Sequence, residues 1–122
     1  MKISGVITQL RTTDLESSIR FYTKQMGMEL AFRHQNFYAG IRAGNQIFHL
    51  KQVDVQDPSI AYISQCEHFH LYLETDDATS LSKVLKDNGV NLVKDLHETS
   101  WSTREFVIED DQGHTLYFGE AI

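Results

Sequence analysis

The sequence predicts an α+β fold built from two βαβββ modules. Short runs with strand character and one run with helical spacing follow each other in the same order twice along the chain. Three pairs of residues share one separation of 62 positions: Asp14 and Asp76, Gly27 and Gly89, Leu30 and Leu92. Because 62 is about half of the 122-residue length, this separation is typical of an internal duplication.

Module one is predicted to span about residues 1–53. β-branched residues indicate a first strand over 3–11, and Asp14 is placed to cap a helix that ends before Gly27. Apolar side chains recur at helical spacing on that helix: Leu15, Ile19, Tyr22 and Met26. Three strands are expected after the helix, at about residues 28–34, 36–42 and 46–51.

A link of about residues 54–66 contains Pro58, the only proline, and is expected to form at most one short helical turn. Module two, about residues 67–122, repeats the order. We expect a strand over 67–74, a helix that begins at Asp76 or Asp77 and ends at Gly89, and strands over 91–95, 103–109 and 114–120.

Composition and charge exclude several classes of function. A net charge of −6 without a basic cluster disfavours nucleic acid as a partner. No apolar run approaches the length of a membrane span, and the N-terminus lacks the apolar stretch of a signal peptide, so we expect a cytoplasmic protein. Cys66 is the only cysteine, which excludes an internal disulfide and a cysteine-rich zinc site.

Two segments resemble one known family. The segment that begins at Asp14 reads Asp-Leu-Glu-Ser-Ser-Ile-Arg-Phe-Tyr and continues to Met26-Gly27-Met28. It is similar to the D-L-x-x-S-I-x-F-Y…L-G-M signature of glyoxalase, fosfomycin-resistance and bleomycin-resistance proteins. The segment from Trp101 to Glu120 resembles the W-G-x-R-E-F…D-P-x-G…F-G-E ending of the same vicinal-oxygen-chelate superfamily, with Asp111 in place of the usual proline.

The resemblance implies that the two modules form a cupped, partly open mixed β-barrel with helices outside and a ligand cavity inside. It also implies a homodimer that binds a small organic molecule. Catalytic members hold a divalent metal ion at four positions, which correspond here to Ile7, His49, His70 and Tyr117. Ile7 has no donor atom and a neutral phenol is a poor ligand, so two competent donors remain and no tightly bound metal is expected.

Other interpretations of the polar residues stay open. His68 or Gln9 could complete an unorthodox metal site with His49 and His70, or the histidines could simply form hydrogen bonds in a polar cavity. His34, His97 and His114 are expected to be solvated. The predicted ligand-binding residues are His49, His70, Tyr117, Tyr72 and Trp101.

Three functions are compatible with these residues. The favoured hypothesis is a protein that binds an aromatic or cationic small molecule without a metal. The alternative is a metal-dependent lyase, isomerase, thiol transferase or dioxygenase, supported by His49 and His70 alone. A sensor or partner-binding module is the third, and no residue specifically favours it.

Overall fold

The computed structural model describes all 122 residues and divides into two compact units, Met1–Asp57 and Pro58–Ile122. We call them module one and module two. Each contains a mixed sheet of four strands and a helix between its first two strands, which confirms the predicted α+β class with two βαβββ modules. The helical turn expected in the link is a two-turn helix that belongs to module two.

Module one consists of β1 Gln9–Thr12, α1 Leu15–Arg20 with a π-helical continuation Phe21–Gln25, β2 Glu29–His34, β3 Tyr38–Ala43 and β4 Gln46–Gln52. Its strand order is β1-β4-β3-β2. β1 runs parallel to β4, while β2, β3 and β4 form antiparallel hairpins. Parallel strands need a long crossover connection, which α1 and the two following strands supply.

Two side chains, Asp14 before the helix and Gln52 at the end of β4, form hydrogen bonds at the start of α1. The side chain of Asp14 accepts a hydrogen bond from the Ser17 amide at 3.0 Å, as predicted for the capping residue. Gln52, at the end of β4, accepts one from the Leu15 amide at 2.8 Å and donates one to the Thr13 carbonyl at 2.7 Å. One side chain of the last strand therefore ties the helix to the sheet.

Module two consists of α2 Ser59–Gln65, β5 Leu71–Glu74, α3 Ala78–Asp87, β6 Leu92–Glu98, β7 Thr103–Glu109 and β8 Thr115–Ala121. Its strand order, β5-β8-β7-β6, and its pairing repeat those of module one, with β5 parallel to β8. The tie between helix and sheet recurs as well. Asp77 accepts from the Ser80 amide at 3.0 Å, and Glu120 accepts from the Ala78 amide at 3.1 Å.

The two modules differ by one residue inside their first helices. Before the helices, equivalent residues are 63 positions apart: Thr12 and Thr75, Asp14 and Asp77, Leu15 and Ala78. After them, Gly27 and Gly89 are 62 apart, and both take the positive φ expected past a helix end. A π-helical turn accommodates one inserted residue, and module one has that turn at Phe21–Gln25. Asp14 therefore corresponds to Asp77, and the predicted equivalence with Asp76 is wrong.

Both first strands are shorter than predicted. β1 begins at Gln9 instead of residue 3, and β5 begins at Leu71 instead of residue 67. Gln9 pairs with His49, so the register sets residue 6 opposite Gln46, where the neighbouring strand β4 begins, and residues 3–5 would extend beyond it. Residues 6–8 lie opposite β4 but are not part of the regular strand. Likewise Leu71 pairs with Leu116, and residues 67–69 would face the turn before β8. A strand cannot extend beyond its only neighbour.

One face of each sheet packs against its helix and forms a core. In module one the fully buried side chains on this face include Leu10, Ile41 and Leu50, and Tyr22 packs edge-on against Phe48 at 5.1 Å. In module two Phe106 and Phe118 stack at 4.9 Å. Side chains alternate along strands, so the neighbours of these core residues point to the opposite face. None of the helices has the length and apolar character needed to cross a membrane.

Candidate functional site

An aromatic cluster lies on the sheet face of module two that faces away from its helix α3. Tyr72 of β5 and Tyr117 of β8 are paired residues of neighbouring parallel strands, with ring centroids 6.5 Å apart. Phe69 contacts both, at 5.8 Å from Tyr72 and 5.2 Å from Tyr117. Phe69 and Tyr72 are 47% and 39% exposed, so the cluster is accessible to a ligand within this module. We call these three residues the module-two aromatic face.

A buried carboxylate lies at the hydroxyl end of Tyr72. The Tyr72 hydroxyl donates to Glu105 Oε2 at 2.7 Å, and the Thr103 hydroxyl donates to the same oxygen at 3.0 Å. Glu105 is only 4% exposed, and it pairs across β7 and β8 with Gly119. A Cβ atom at Gly119 would overlap the Tyr72 hydroxyl, so glycine is what allows the phenol to reach across the strand.

The surroundings keep both phenols of the aromatic face neutral at physiological pH. Burial, the hydrogen bond to Glu105 and the charges of Glu105 and Glu74 raise the pKa of Tyr72 to about 12. Burial and the charges of Glu67 and Glu105 also raise the pKa of Tyr117, whose hydroxyl donates to the Glu67 carbonyl at 3.2 Å. Neutral phenols are stacking and hydrogen-bonding groups.

His70 is engaged elsewhere in module two. Because β5 begins only at Leu71, His68 and His70 do not share a strand face with Tyr72, contrary to the predicted alternation. The Thr115 amide donates to His70 Nδ1 at 3.4 Å, so Nε2 carries the proton that is shared with Ser59 Oγ at 2.9 Å. The His70 ring stands edge-on to His114 at 4.4 Å.

Two further expectations concern single side chains. His114 is only 1% exposed, so the expectation that it is solvated is wrong; it lies immediately before β8, a central strand, and is buried there. Trp101 lies in the turn between β6 and β7, is 67% exposed and makes no ring contact. The structure therefore does not bring Trp101 into the module-two aromatic face.

His49 belongs to a separate cluster in module one. Its Nδ1 lies 2.8 Å from the Tyr38 hydroxyl, which accepts a hydrogen bond from Gln9 Nε2 at 3.0 Å. The Tyr38 hydroxyl therefore joins Gln9 and Nδ1 of His49 in one chain of hydrogen bonds. Phe32 packs edge-on against His49 at 5.2 Å and lies over Gly40, where a Cβ would overlap its ring.

The residues at the four metal positions implied by the resemblance do not fit a catalytic ion. Ile7 has no donor atom, and Tyr117 is a phenol with a raised pKa. Both ring nitrogens of His70 form hydrogen bonds, and Nδ1 of His49 is bonded to the Tyr38 hydroxyl. No group of three or more His, Cys, Asp or Glu side chains is placed to hold a metal ion. Three protein donors are the usual minimum for a catalytic site.

Several residues of these clusters were not predicted from the sequence: Phe69, Glu105, Phe32 and Tyr38. Glu105 could have been placed on this face, because it lies two positions from Val107 on β7 and side chains alternate along a strand. Val107 pairs with Tyr117. For Phe69 no signal existed, because it precedes the strand and alternation assigns it to the wrong face. Its position depends on the positive φ of Glu67 and the turn that follows.

Comparison with known proteins identifies the family. A profile of the Glyoxalase/Bleomycin resistance protein/Dioxygenase superfamily matches residues 6–118. No curated protein sequence matches the chain.

Solved structures with the same fold include a bleomycin-binding protein from Streptomyces verticillus complexed with copper(II)-bleomycin, at 21% identity, with a TM-score of 0.75 and coverage of 100% of this chain and 98% of the other. A putative glyoxalase family protein from Bacillus anthracis is 19% identical, with a TM-score of 0.78 and coverage of 100% and 98%. Lactoylglutathione lyase from Agrobacterium tumefaciens is 16% identical, with a TM-score of 0.73 and coverage of 98% and 95%. The family profile spans nearly the whole chain, and the chain therefore belongs to the Glyoxalase/Bleomycin resistance protein/Dioxygenase superfamily.

Proposed function

We propose that this protein binds a small organic molecule with a planar aromatic ring, without a tightly bound metal ion. The observation that carries the proposal is the module-two aromatic face, formed by Phe69, Tyr72 and Tyr117. Three rings within 6.5 Å of one another, two of them more than a third exposed, form a surface on which a planar ligand can stack. Accessible aromatic groups with a few fixed polar partners are typical of ligand sites.

The polar groups around this face support binding better than catalysis. The Tyr72 hydroxyl is committed to Glu105, and both phenols stay neutral, so neither is an activated nucleophile or base at pH 7. His70, the imidazole of module two predicted to act there, forms hydrogen bonds with Ser59 and Thr115. Two bleomycin-binding proteins with the same fold are complexed with bleomycin, and ligand binding is the part of their description that we extend to this chain.

Calorimetric titration with quinoline, a neutral planar molecule at pH 7, tests the proposal. We expect a dissociation constant of about a millimolar or below, because ten non-hydrogen atoms at modest efficiency give roughly that affinity. Phe69→Ala and Tyr117→Ala should each weaken binding roughly three- to tenfold, since one ring contact is lost.

Tyr62→Ala is the matched control for these variants. Tyr62 is an exposed tyrosine of the same module, 66% accessible, on helix α2 outside the aromatic face. Its replacement should leave the affinity unchanged. Equal affinity in the Phe69 and Tyr117 variants and in wild type would remove the aromatic face from the account.

We also propose that the protein is a cytoplasmic homodimer with no nucleic-acid or membrane partner. The net charge of −6 supports the absence of nucleic acid. Ile3, Val6 and Ile7 are between 57% and 91% exposed in module one, which is apolar surface that a second copy could cover. Light scattering at micromolar concentration should give twice the chain mass, and a monomer would contradict the dimer.

A further inference from the structure

Glu105 is a buried carboxylate that no cation of the protein neutralises. Its Oε2 accepts the hydroxyl protons of Tyr72 and Thr103, while its Oε1 accepts no hydrogen bond. No Lys, Arg or His side chain forms an ion pair with it. Burial of an ionised carboxylate is costly unless an opposite charge or several donors compensate it. Two neutral hydroxyl groups on one oxygen compensate it only in part.

The nearest charges reinforce the negative potential at the aromatic face. Glu67 and Glu74 are exposed and form no ion pair. After burial, the charge of Glu67 is the next cause of the raised pKa of Tyr117, whereas at Tyr72 the charge of Glu74 follows burial, the hydrogen bond to Glu105 and the charge of Glu105. The closest candidate counter-ion on β7 is Arg104, but its guanidinium is paired with Glu98 at 3.0 Å and Glu120 at 3.6 Å. The face therefore combines three exposed or half-buried rings with three carboxylates that form no ion pair. The cations of β6 nearest to it in the sheet register are Lys94, opposite Val107, and His97, opposite Glu105, and neither forms an ion pair with these carboxylates.

We infer that the ligand of this face is a cation, of the class of N-alkylated heteroaromatic or aryl-ammonium compounds, with Glu105 as its principal counter-ion. This inference rests on the proposed function. Aromatic ring faces attract cations through their quadrupoles, and a carboxylate shielded from water attracts them more strongly than an exposed one. Glu105 supplies the shielded charge at the hydroxyl end of Tyr72, and the rings of Phe69 and Tyr117 supply the stacking surface.

A matched pair of probes separates charge from ring stacking. N-methylquinolinium and quinoline share one planar ring system, and only the first is charged at pH 7. By calorimetry at low ionic strength, we expect wild-type protein to bind N-methylquinolinium at least about tenfold more tightly than quinoline. Added salt should reduce this preference, because screening weakens charge interactions near the surface.

Variants assign the preference to Glu105. Glu105→Gln keeps an acceptor for Tyr72 and Thr103 and removes only the charge, and it should reduce the cation preference to about threefold or less with little change for quinoline. Asp87→Asn is the matched control, since Asp87 is an exposed carboxylate at the end of α3 and outside the face. It should leave the preference as in wild type. If Glu105→Gln does not fold by circular dichroism, Glu74→Gln takes its place, with an expected decrease of about twofold.

The outcomes separate the two claims. A wild-type preference below twofold would overturn the inference while quinoline binding still supported the proposed function. A full preference that survives Glu105→Gln, or Glu74→Gln in its place, would also overturn it. If neither quinoline nor N-methylquinolinium binds, the proposed function and the inference are overturned together.

Discussion

Tyr72 combines three roles in one side chain. Its ring contributes to the module-two aromatic face, its hydroxyl donates to Glu105, and its reach across β8 depends on the missing side chain at Gly119. The sequence predicted Tyr72 and Tyr117 as ligand contacts from strand parity and family register. It could not predict the hydrogen bond to Glu105, because that contact depends on where a side chain points between strands that are 33 residues apart.

The raised pKa of Tyr72 predicts how the stability of the fold changes at alkaline pH. Burial, then the hydrogen bond to Glu105 and the charges of Glu105 and Glu74, raise it from 10.0 to about 12. A phenol with a raised pKa in the folded state stabilises the fold fully below its unfolded pKa, about 10, and this contribution is lost as pH rises from about 10 through about 12.

Ultraviolet absorbance of tyrosinate measures this pKa. The difference between wild type and Tyr72→Phe should be a single ionisation near pH 12, and Glu105→Gln should move it towards 10 because a charge and a hydrogen bond are changed. A difference curve centred near pH 10 in wild type would show that the Tyr72–Glu105 contact is absent in solution.

The helices and strands were predicted from the sequence except at a few boundaries, and the π-helical segment explains one of the errors. The 62-residue separation located both modules, both helix ends and most strands. It paired Asp14 with Asp76 instead of Asp77, because one extra residue within Phe21–Gln25 shifts the register and nothing in those side chains marks it. The first strands were extended too far, since a strand's length is set by its neighbour, which a local pattern does not contain.

Gln52 is predicted to be a structural tie in module one. Gln52→Ala removes a donor for the exposed Thr13 carbonyl and an acceptor for the Leu15 amide, and leaves that part-buried amide without its partner. We expect a loss of about 1–3 kcal/mol in the free energy of unfolding, measured by urea denaturation.

Gln46→Ala is the control for this variant, since Gln46 is an exposed glutamine at the start of the same strand. It should change the free energy by no more than about 0.5 kcal/mol. Similar stabilities for the two variants would contradict the role of Gln52.

At the scale of the whole molecule, the family and the fold class were predictable because long motifs and an internal duplication specify them. The site was less predictable. Of the five residues named from the sequence, Tyr72 and Tyr117 contact each other, His70 binds Ser59 and Thr115, and Trp101 makes no ring contact. His49 lies in a module-one cluster. Convergence of all five on one ligand stays a prediction.

Metal content is a second test at this scale. Protein purified without chelator should carry far less than one equivalent of zinc, nickel, cobalt, iron or manganese by elemental analysis, because Ile7 has no donor atom and the nitrogens of His70 are engaged. Stoichiometric metal that survives dialysis and disappears in His49→Ala or His70→Ala would establish the metal-dependent alternative instead.

The central claim, that a planar ligand stacks on the module-two aromatic face, is tested most directly by nuclear magnetic resonance of the aromatic side chains during titration with quinoline. Ring currents of a stacked ligand shift the protons it covers. We expect saturable shifts of the ring protons of Phe69, Tyr72 and Tyr117, with those of Tyr62 on helix α2 unchanged. Saturable shifts confined to other rings, or no shifts at millimolar quinoline, would contradict it.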